Sequence, residues 1–155
     1  MNLTHRKARI ADLPHIIELL LEDELGASRE SKSSELDENY IKAFHKIDSD
    51  PNQYLMVLEN DNEIIGTCHL TLMPSLTFIG STRMQIEAVR VSNKYRSQQI
   101  GTWMFDQAIS YAKAMDVSII QLTTNKKRPK AKHFYEKLGF EASHEGMKLY
   151  LRKEL

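Results

Sequence analysis

Three groups in this chain have the types and spacing for chemistry: a carboxylate at Glu87, a phenol at Tyr135, and a polar turn, Arg96-Ser97-Gln98-Gln99-Ile100-Gly101-Thr102. The turn follows a β-branched stretch through Val89 and Val91 and opens an amphipathic helix pattern. It contains no proline, so each backbone N–H can point inward beside the unpaired donors of the helix's first turn, and the helix dipole adds positive potential. Such a turn suits an anion, phosphate above all. Glu87 precedes Val89 and Val91 at a period of two, which places it on their face. A carboxylate there could take a proton from an amine, directly or through water; paired with Arg83, Arg90 or Arg96 it would be a structural glutamate. Gln85 shares the face and could hold a water. The Tyr135 phenol could hand a proton to a leaving group, while its place in the stripe Ala131, Phe134, Tyr135, Leu138 would also suit a core aromatic.

These groups need elements to hold them. Leu3 to Arg9 reads as a strand, and Asp12 and Pro14 open a helix with Leu13, Ile16, Ile17, Leu20 and Leu21 at helical spacing. The polar run from Gly26 to Ser34 is expected to be a loop, followed by a helix with Leu36, Tyr40, Ile41, Phe44 and Ile47 on one face. Tyr54 to Glu59 and Ile64 to Met73 read as a hairpin around Asn60-Asp61-Asn62. Arg83 to Val91 reads as a strand, Ile100 to Met115 as a helix and Val117 to Thr123 as a strand. A strand, a helix and a strand in that order predict a right-handed crossover with the two strands parallel, and a ligand crevice at their carboxyl ends, where the Arg96–Gly101 turn lies. Pro129 starts a last helix that Gly139 stops, and Ser143 to Arg152 alternates well enough for one or two closing strands.

Two blocks carry a family resemblance. Arg96-x-x-Gln99-x-Gly101 resembles the Gln/Arg-x-x-Gly-x-Gly/Ala pyrophosphate loop of the GNAT superfamily of acyl-CoA-dependent N-acetyltransferases. Gln99 stands where that family usually has its first glycine, and Ser97 replaces another frequent one. A positive φ at Gln99 would cost on the order of 1 kcal/mol. The segment from Arg128 to Phe140 resembles the superfamily's second block, Asn-x-x-Ala-x-x-x-Tyr-x-x-x-Gly-Phe, with Arg128 in place of the asparagine. Thr124 to Arg128, with Ser143-His144 after it, also looks like the branch that includes aminoalkylphosphonate N-acetyltransferases.

The resemblance spans roughly Ile10 to Leu151 and implies an α/β chain of the α+β mixed-sheet kind: a central mixed sheet, about four flanking helices, and a parallel strand pair splayed to admit pantetheine. It implies acetyl-CoA as co-substrate, with Val89 and Val91 lending backbone groups to the pantetheine arm and Arg96, Ser97, Gln98, Gln99, Ile100, Gly101 and Thr102 around the pyrophosphate. Asn125 and the basic cluster Lys126, Lys127, Arg128, Lys130 and Lys132 could reach a CoA phosphate or an anionic substrate, or simply be solvated. Tyr135 matches the tyrosine that acts as acid in many relatives, and an acidic residue on the Glu87 strand is frequent. The implied reaction is direct attack by the primary amine of a small molecule in a ternary complex, since no residue looks like an acyl carrier. A protein or peptide amine is an alternative acceptor, and a CoA-binding regulatory module without turnover is an alternative activity.

Composition bounds the rest. With 155 residues, the chain is expected to be one domain, 1–155. Lys+Arg and Asp+Glu number 21 each, so no global field recruits nucleic acid or an anionic membrane. No apolar run is long enough to span a bilayer and no signal peptide is visible, which predicts a cytoplasmic protein with neither membrane nor nucleic-acid partner; a homodimer is left open. Cys68 is the one cysteine and reads as a small core residue. The six histidines show no zinc spacing, so no metal is expected.

Overall fold

The computed structural model describes residues 1–30 and 36–152. Its elements run β1 (Leu3–Lys7), α1 (Leu13–Leu21), α2 (Glu24–Arg29), α3 (Glu38–Asp48), β2 (Gln53–Asn60), β3 (Glu63–Met73), β4 (Thr82–Val91), α4 (Ile100–Ala114), β5 (Val117–Gln121) and α5 (Pro129–Lys137). The five strands lie in sequence order, antiparallel except for the parallel β4–β5 pair. This is the mixed sheet expected from the crossover pattern.

Alternation along the strands feeds two cores. One face of the sheet buries Met56, Leu58, Leu70, Met84 and Ile86 against Ile100, Met104, Phe105 and Ala108 of α4. The other buries Leu55 and Val57 against Leu13, Ile16 and Ile17 of α1 and Phe44 of α3. The β2–β3 hairpin turns on Asp61 and Asn62, both at positive φ (49° and 70°), the mirror-image turn whose twist matches that of the strands. Arg6 grips the buried Asp12 at 2.7 Å and Glu59 at 2.7 Å, tying the start of α1 to the sheet. Cys68 is buried, which pushes its thiol up to about 12, as a core residue's should be. No described helix is long and apolar enough to cross a membrane.

Two expectations change. The polar run beginning at Gly26 is not all loop: Asp23 caps a short helix over Glu24–Arg29 by accepting from the Gly26 N–H at 2.5 Å, and residues 31–34 of the run lie outside the described residues. Ser143 to Arg152 forms no strand, and its residues are exposed. The alternation there is real, but nothing within the described chain pairs with it.

Candidate active site

β4 pairs with β5 only along Thr82–Gln85, so from Ile86 onward the two parallel strands part and the sheet opens. At the opening, β4 carries a bulge. Arg90 stands opposite Thr67 and Glu87 opposite His69, so two residues of β4, Ala88 and Val89, face one of β3, Cys68, with Ala88 at φ 51°. The extra residue shifts the period by one, which corrects the reading from strict alternation. Glu87 shares its face with His69 on the α1–α3 side, whereas Val89 and Val91 pack toward the α4 core on the other side. The sheet therefore presents a carboxylate on one side of the split and an apolar backbone ledge on the other.

On the Glu87 side, a recess of about 150 Å³ is lined by Ile17, Tyr40, Phe44, Leu55, His69 and Ala88 among others. His69 Nε2 donates to Gln53 Oε1 at 2.7 Å. Burial lowers the His69 pKa and the Glu87 charge raises it less, so the ring is neutral at pH 7. Glu87 forms no ion pair among the described residues, contrary to what a structural glutamate would do.

The 96–102 turn, the candidate anion cradle, lies at the carboxyl end of β4. A 3₁₀ turn, Asn93–Tyr95, leads into it and is held by two carboxylates: Glu22 accepts from the Asn93 N–H at 2.8 Å, and Glu63 accepts from the Tyr95 hydroxyl at 2.6 Å. Arg96, Ser97, Gln98 and Gln99 are exposed, and α4 starts at the buried Ile100, so the helix's first N–H groups, those of Ile100, Gly101 and Thr102, face the same turn. Ser97 (φ 63°) and Gln99 (φ 60°) are both left-handed, the conformation for which glycine is favoured. A Cβ at Gly101 would lie 3.3 Å from the Phe134 ring, so the small residue lets α5 press on the start of α4. We expect Gln99→Gly to tighten CoA binding by on the order of 1 kcal/mol, because it relieves left-handed strain and lets the backbone approach the pyrophosphate. Isothermal titration of both proteins at one salt concentration checks this; a clear loss of affinity would mean that the Gln99 amide itself holds a phosphate.

Tyr135 is half-buried, with its ring 5.6 Å from that of Phe105 and 6.1 Å from that of Phe140. Among the described residues its hydroxyl has no hydrogen-bond partner. Burial raises the phenol's pKa, and Arg90 and Arg128 pull it back in part, so it holds its proton at pH 7 with cations at hand to stabilise an anion. Those arginines converge on Asp23: Arg128 Nη2 is 2.7 Å from its Oδ2, and Arg90 Nε is 3.5 Å from the same oxygen, an ion-pair distance without hydrogen-bond geometry. Burial works against ionisation of Asp23, but the Gly26 N–H, Arg90 and Arg128 outweigh it and keep the carboxyl below its usual range. Asn125 turns the chain into α5, its side-chain oxygen accepting from the Lys127 N–H at 2.9 Å.

The structure thus gathers Glu87, Val89, Val91, the 96–102 turn and Tyr135 around one split in the sheet, with Arg128 directed to Asp23 and Asn125 exposed at the entrance to α5. Glu22, Asp23 and the inward role of Arg90 were not legible beforehand. The one sequence signal for them was the capping spacing Asp23-x-x-Gly26.

The family model for the acetyltransferase (GNAT) family matches residues 14–140. Among solved structures, a protein from Bacillus halodurans C-125 described as a transcriptional regulator is 43% identical, with 97% of this chain and all of that chain covered and a TM-score of 0.93. Glucosamine-6-phosphate N-acetyltransferase from Arabidopsis thaliana is 23% identical, covering 98% of this chain and 100% of the other with a TM-score of 0.79. A predicted acetyltransferase from Clostridium acetobutylicum solved with acetyl-CoA is 21% identical, covering 97% of each chain with a TM-score of 0.74. No curated protein matches the chain.

Proposed function

Because the chain belongs to the acetyltransferase (GNAT) family, we propose that it transfers an acetyl group from acetyl-CoA to the primary amine of a small molecule, by direct attack in a ternary complex. One observation supports this reading: β4 loses its pairing with β5 after Gln85, just ahead of Glu87, Val89, Val91 and the 96–102 turn. The 96–102 turn and the first N–H groups of α4 would hold the CoA pyrophosphate, and the backbone of β4 at Val89 and Val91, beyond the last residue paired with β5, would align the pantetheine arm as a strand would, with Arg90 Nη1, which donates to the Val89 carbonyl at 2.8 Å, giving way to it.

With the thioester in the split, the amine enters from the recess beside His69. Its nitrogen bonds to the acetyl carbon, and its proton passes to Glu87, directly or through a water. As the C–S bond breaks, the sulfur takes the Tyr135 proton, and Arg90 and Arg128 offset the phenolate until it is reprotonated. The products are an amide and CoA thiol, and no residue is left altered. The positive surplus of Arg90 and Arg128 over Asp23 favours acceptors that carry an acidic group beside the amine.

CoA should stabilise the fold, by roughly 2.7 kcal/mol at a hundred times its dissociation constant, and free adenosine far less. Acetyl-CoA should release CoA thiol when offered a panel of acidic, neutral and apolar primary amines. Absence of a melting shift in millimolar CoA would end the acetyltransferase reading. A second reading is a CoA-binding regulatory module without turnover, favoured by the left-handed Ser97 and Gln99 and by the description of the Bacillus halodurans relative. A melting shift with no thiol release from any amine or amine-bearing peptide would select it.

A further inference from the structure

We propose that Nδ1 of His69, its lone pair fixed by Gln53 and Asp50, takes the first of the two protons that an acceptor amine gives up, leaving Glu87 the second. The step rests on the acetyl transfer proposed above. It is needed because a primary alkylamine arrives at pH 7 as an ammonium ion, with no lone pair to attack with.

Hydrogen bonds between β2 and β3 decide which nitrogen of His69 carries the ring's hydrogen. Gln53 Nε2 and the Asn52 N–H donate to Asp50 at 3.0 and 2.9 Å, and these bonds hold its carboxyl below the usual range, so at pH 7 it only accepts. With its amide nitrogen turned to Asp50, Gln53 presents its oxygen to His69, 2.7 Å from Nε2. An amide oxygen accepts, so the hydrogen sits on Nε2 and the lone pair on Nδ1. Gln53 belongs to β2, on one side of His69, and Glu87 stands opposite His69 on β4, on the other. The two nitrogens of an imidazole look to opposite sides of the ring, so Nδ1 is turned away from β2 and toward the Glu87 side of the recess. It has no hydrogen-bond partner among the described residues.

The other polar side chains that line the recess are engaged elsewhere: Thr67 Oγ1 donates to the Met56 carbonyl at 2.8 Å, and the Tyr40 hydroxyl donates to Glu30 Oε2 at 2.5 Å. The remaining walls are apolar, with Ile16, Ile17 and Leu20 from α1, Phe44 and Ile47 from α3, and Leu55 from β2. At about 150 Å³ the recess takes the amine end of an acceptor rather than a whole small ligand. An ammonium ion brought among these walls loses its hydration, which lowers its hold on a proton, and it meets one open lone pair.

The protons balance. The ammonium ion gives one to Nδ1 and becomes the amine; the amine nitrogen bonds to the acetyl carbon and gives its second to Glu87; the C–S bond breaks onto the sulfur, which takes the Tyr135 proton. Of the protons then on His69 and Glu87, one restores Tyr135 and the other leaves to water. The titratable groups around the ring are Glu87 from β4, Tyr40 from α3 and, through Gln53, Asp50; α1 presents none to the recess. Burial disfavours the imidazolium more than Glu87 favours it, so His69 passes the proton on rather than keeping it.

The test compares kcat/KM at pH 7 for an alkylamine that the protein acetylates and the O-alkylhydroxylamine of the same chain length, which is already neutral at that pH. His69→Gln keeps an N–H for Gln53 but offers no basic lone pair. It should cost roughly a hundredfold with the alkylamine and little with the neutral acceptor. Glu87→Gln should slow both, since each acceptor still loses a proton as it attacks. Equal losses with both acceptors in His69→Gln, or none with either, would overturn the step and leave the acetyl transfer standing. A parent protein that acetylates no amine would overturn both. If His69→Gln does not fold, the nitrogen-15 spectrum of the parent decides: at neutral pH Nε2 should carry the hydrogen and Nδ1 none, and a proton on Nδ1 would overturn the assignment.

Discussion

Tyr135→Phe is expected to lower turnover by roughly a hundredfold or more while acetyl-CoA affinity and melting temperature stay close to those of the parent, the loss typical of removing a general acid. The substitution deletes one oxygen and keeps the ring that packs on Phe105 and Phe140. Because the hydroxyl has no partner among the described residues, no internal hydrogen bond is broken. What is lost is a phenol that burial keeps protonated and that two nearby arginines prepare to become an anion. Single-turnover rates beside CoA titration and a melting curve separate the outcomes. An early melt with unchanged rate per folded molecule would return Tyr135 to the core stripe from which its spacing came.

That ambiguity shows where the sequence was readable. Leu13 to Leu21, the 53–73 hairpin and the 100–115 helix were visible because their faces are buried: periodicity records burial, and burial fixed these elements. Met115, the last residue of the expected helix, falls just past its end at Ala114 and is exposed, the ordinary error at a helix end. The 96–102 turn was legible because it is local, and its left-handed Gln99 was expected from the glycine that it replaces.

Glu87 was placed on the right strand but the wrong face. A bulge is decided by the pairing of β4 with β3, which a count along one strand does not contain. Asp23, Arg90 and Arg128 meet through tertiary structure, from three separate elements, so no spacing announces them. The tail departs in the opposite way: its residues alternate as a strand's would, but none of them pairs with a strand among the described residues and all are exposed.

Gly26→Ala is expected to destabilise the protein by on the order of 3 kcal/mol, a melting loss of roughly 10 °C, through overpacking at a site with no room to relax. The added Cβ would come 1.7 Å from the Leu20 carbonyl oxygen and 3.0 Å from Asp23 Oδ1. The first contact is with backbone at the end of α1, which cannot swing aside as a side chain could, so α2 must move away from α1. Its movement withdraws the Gly26 N–H from Asp23, the hydrogen bond that fixes the carboxylate between Arg90 and Arg128. Those two arginines would then lose their partner beside Tyr135, and Arg90, whose burial already lowers its pKa, would be left as a poorly compensated buried cation. The defect should therefore reach the site as well as the fold: at a temperature where the variant remains folded, turnover should fall more than CoA affinity, because the cradle at 96–102 is a separate element. Gly146→Ala is the control, since its Cβ would meet nothing nearer than 3.8 Å. Equal melting temperatures for Gly26→Ala and the parent would show that α2 does not press on α1 as described, and would remove Asp23 as the residue that positions the two arginines.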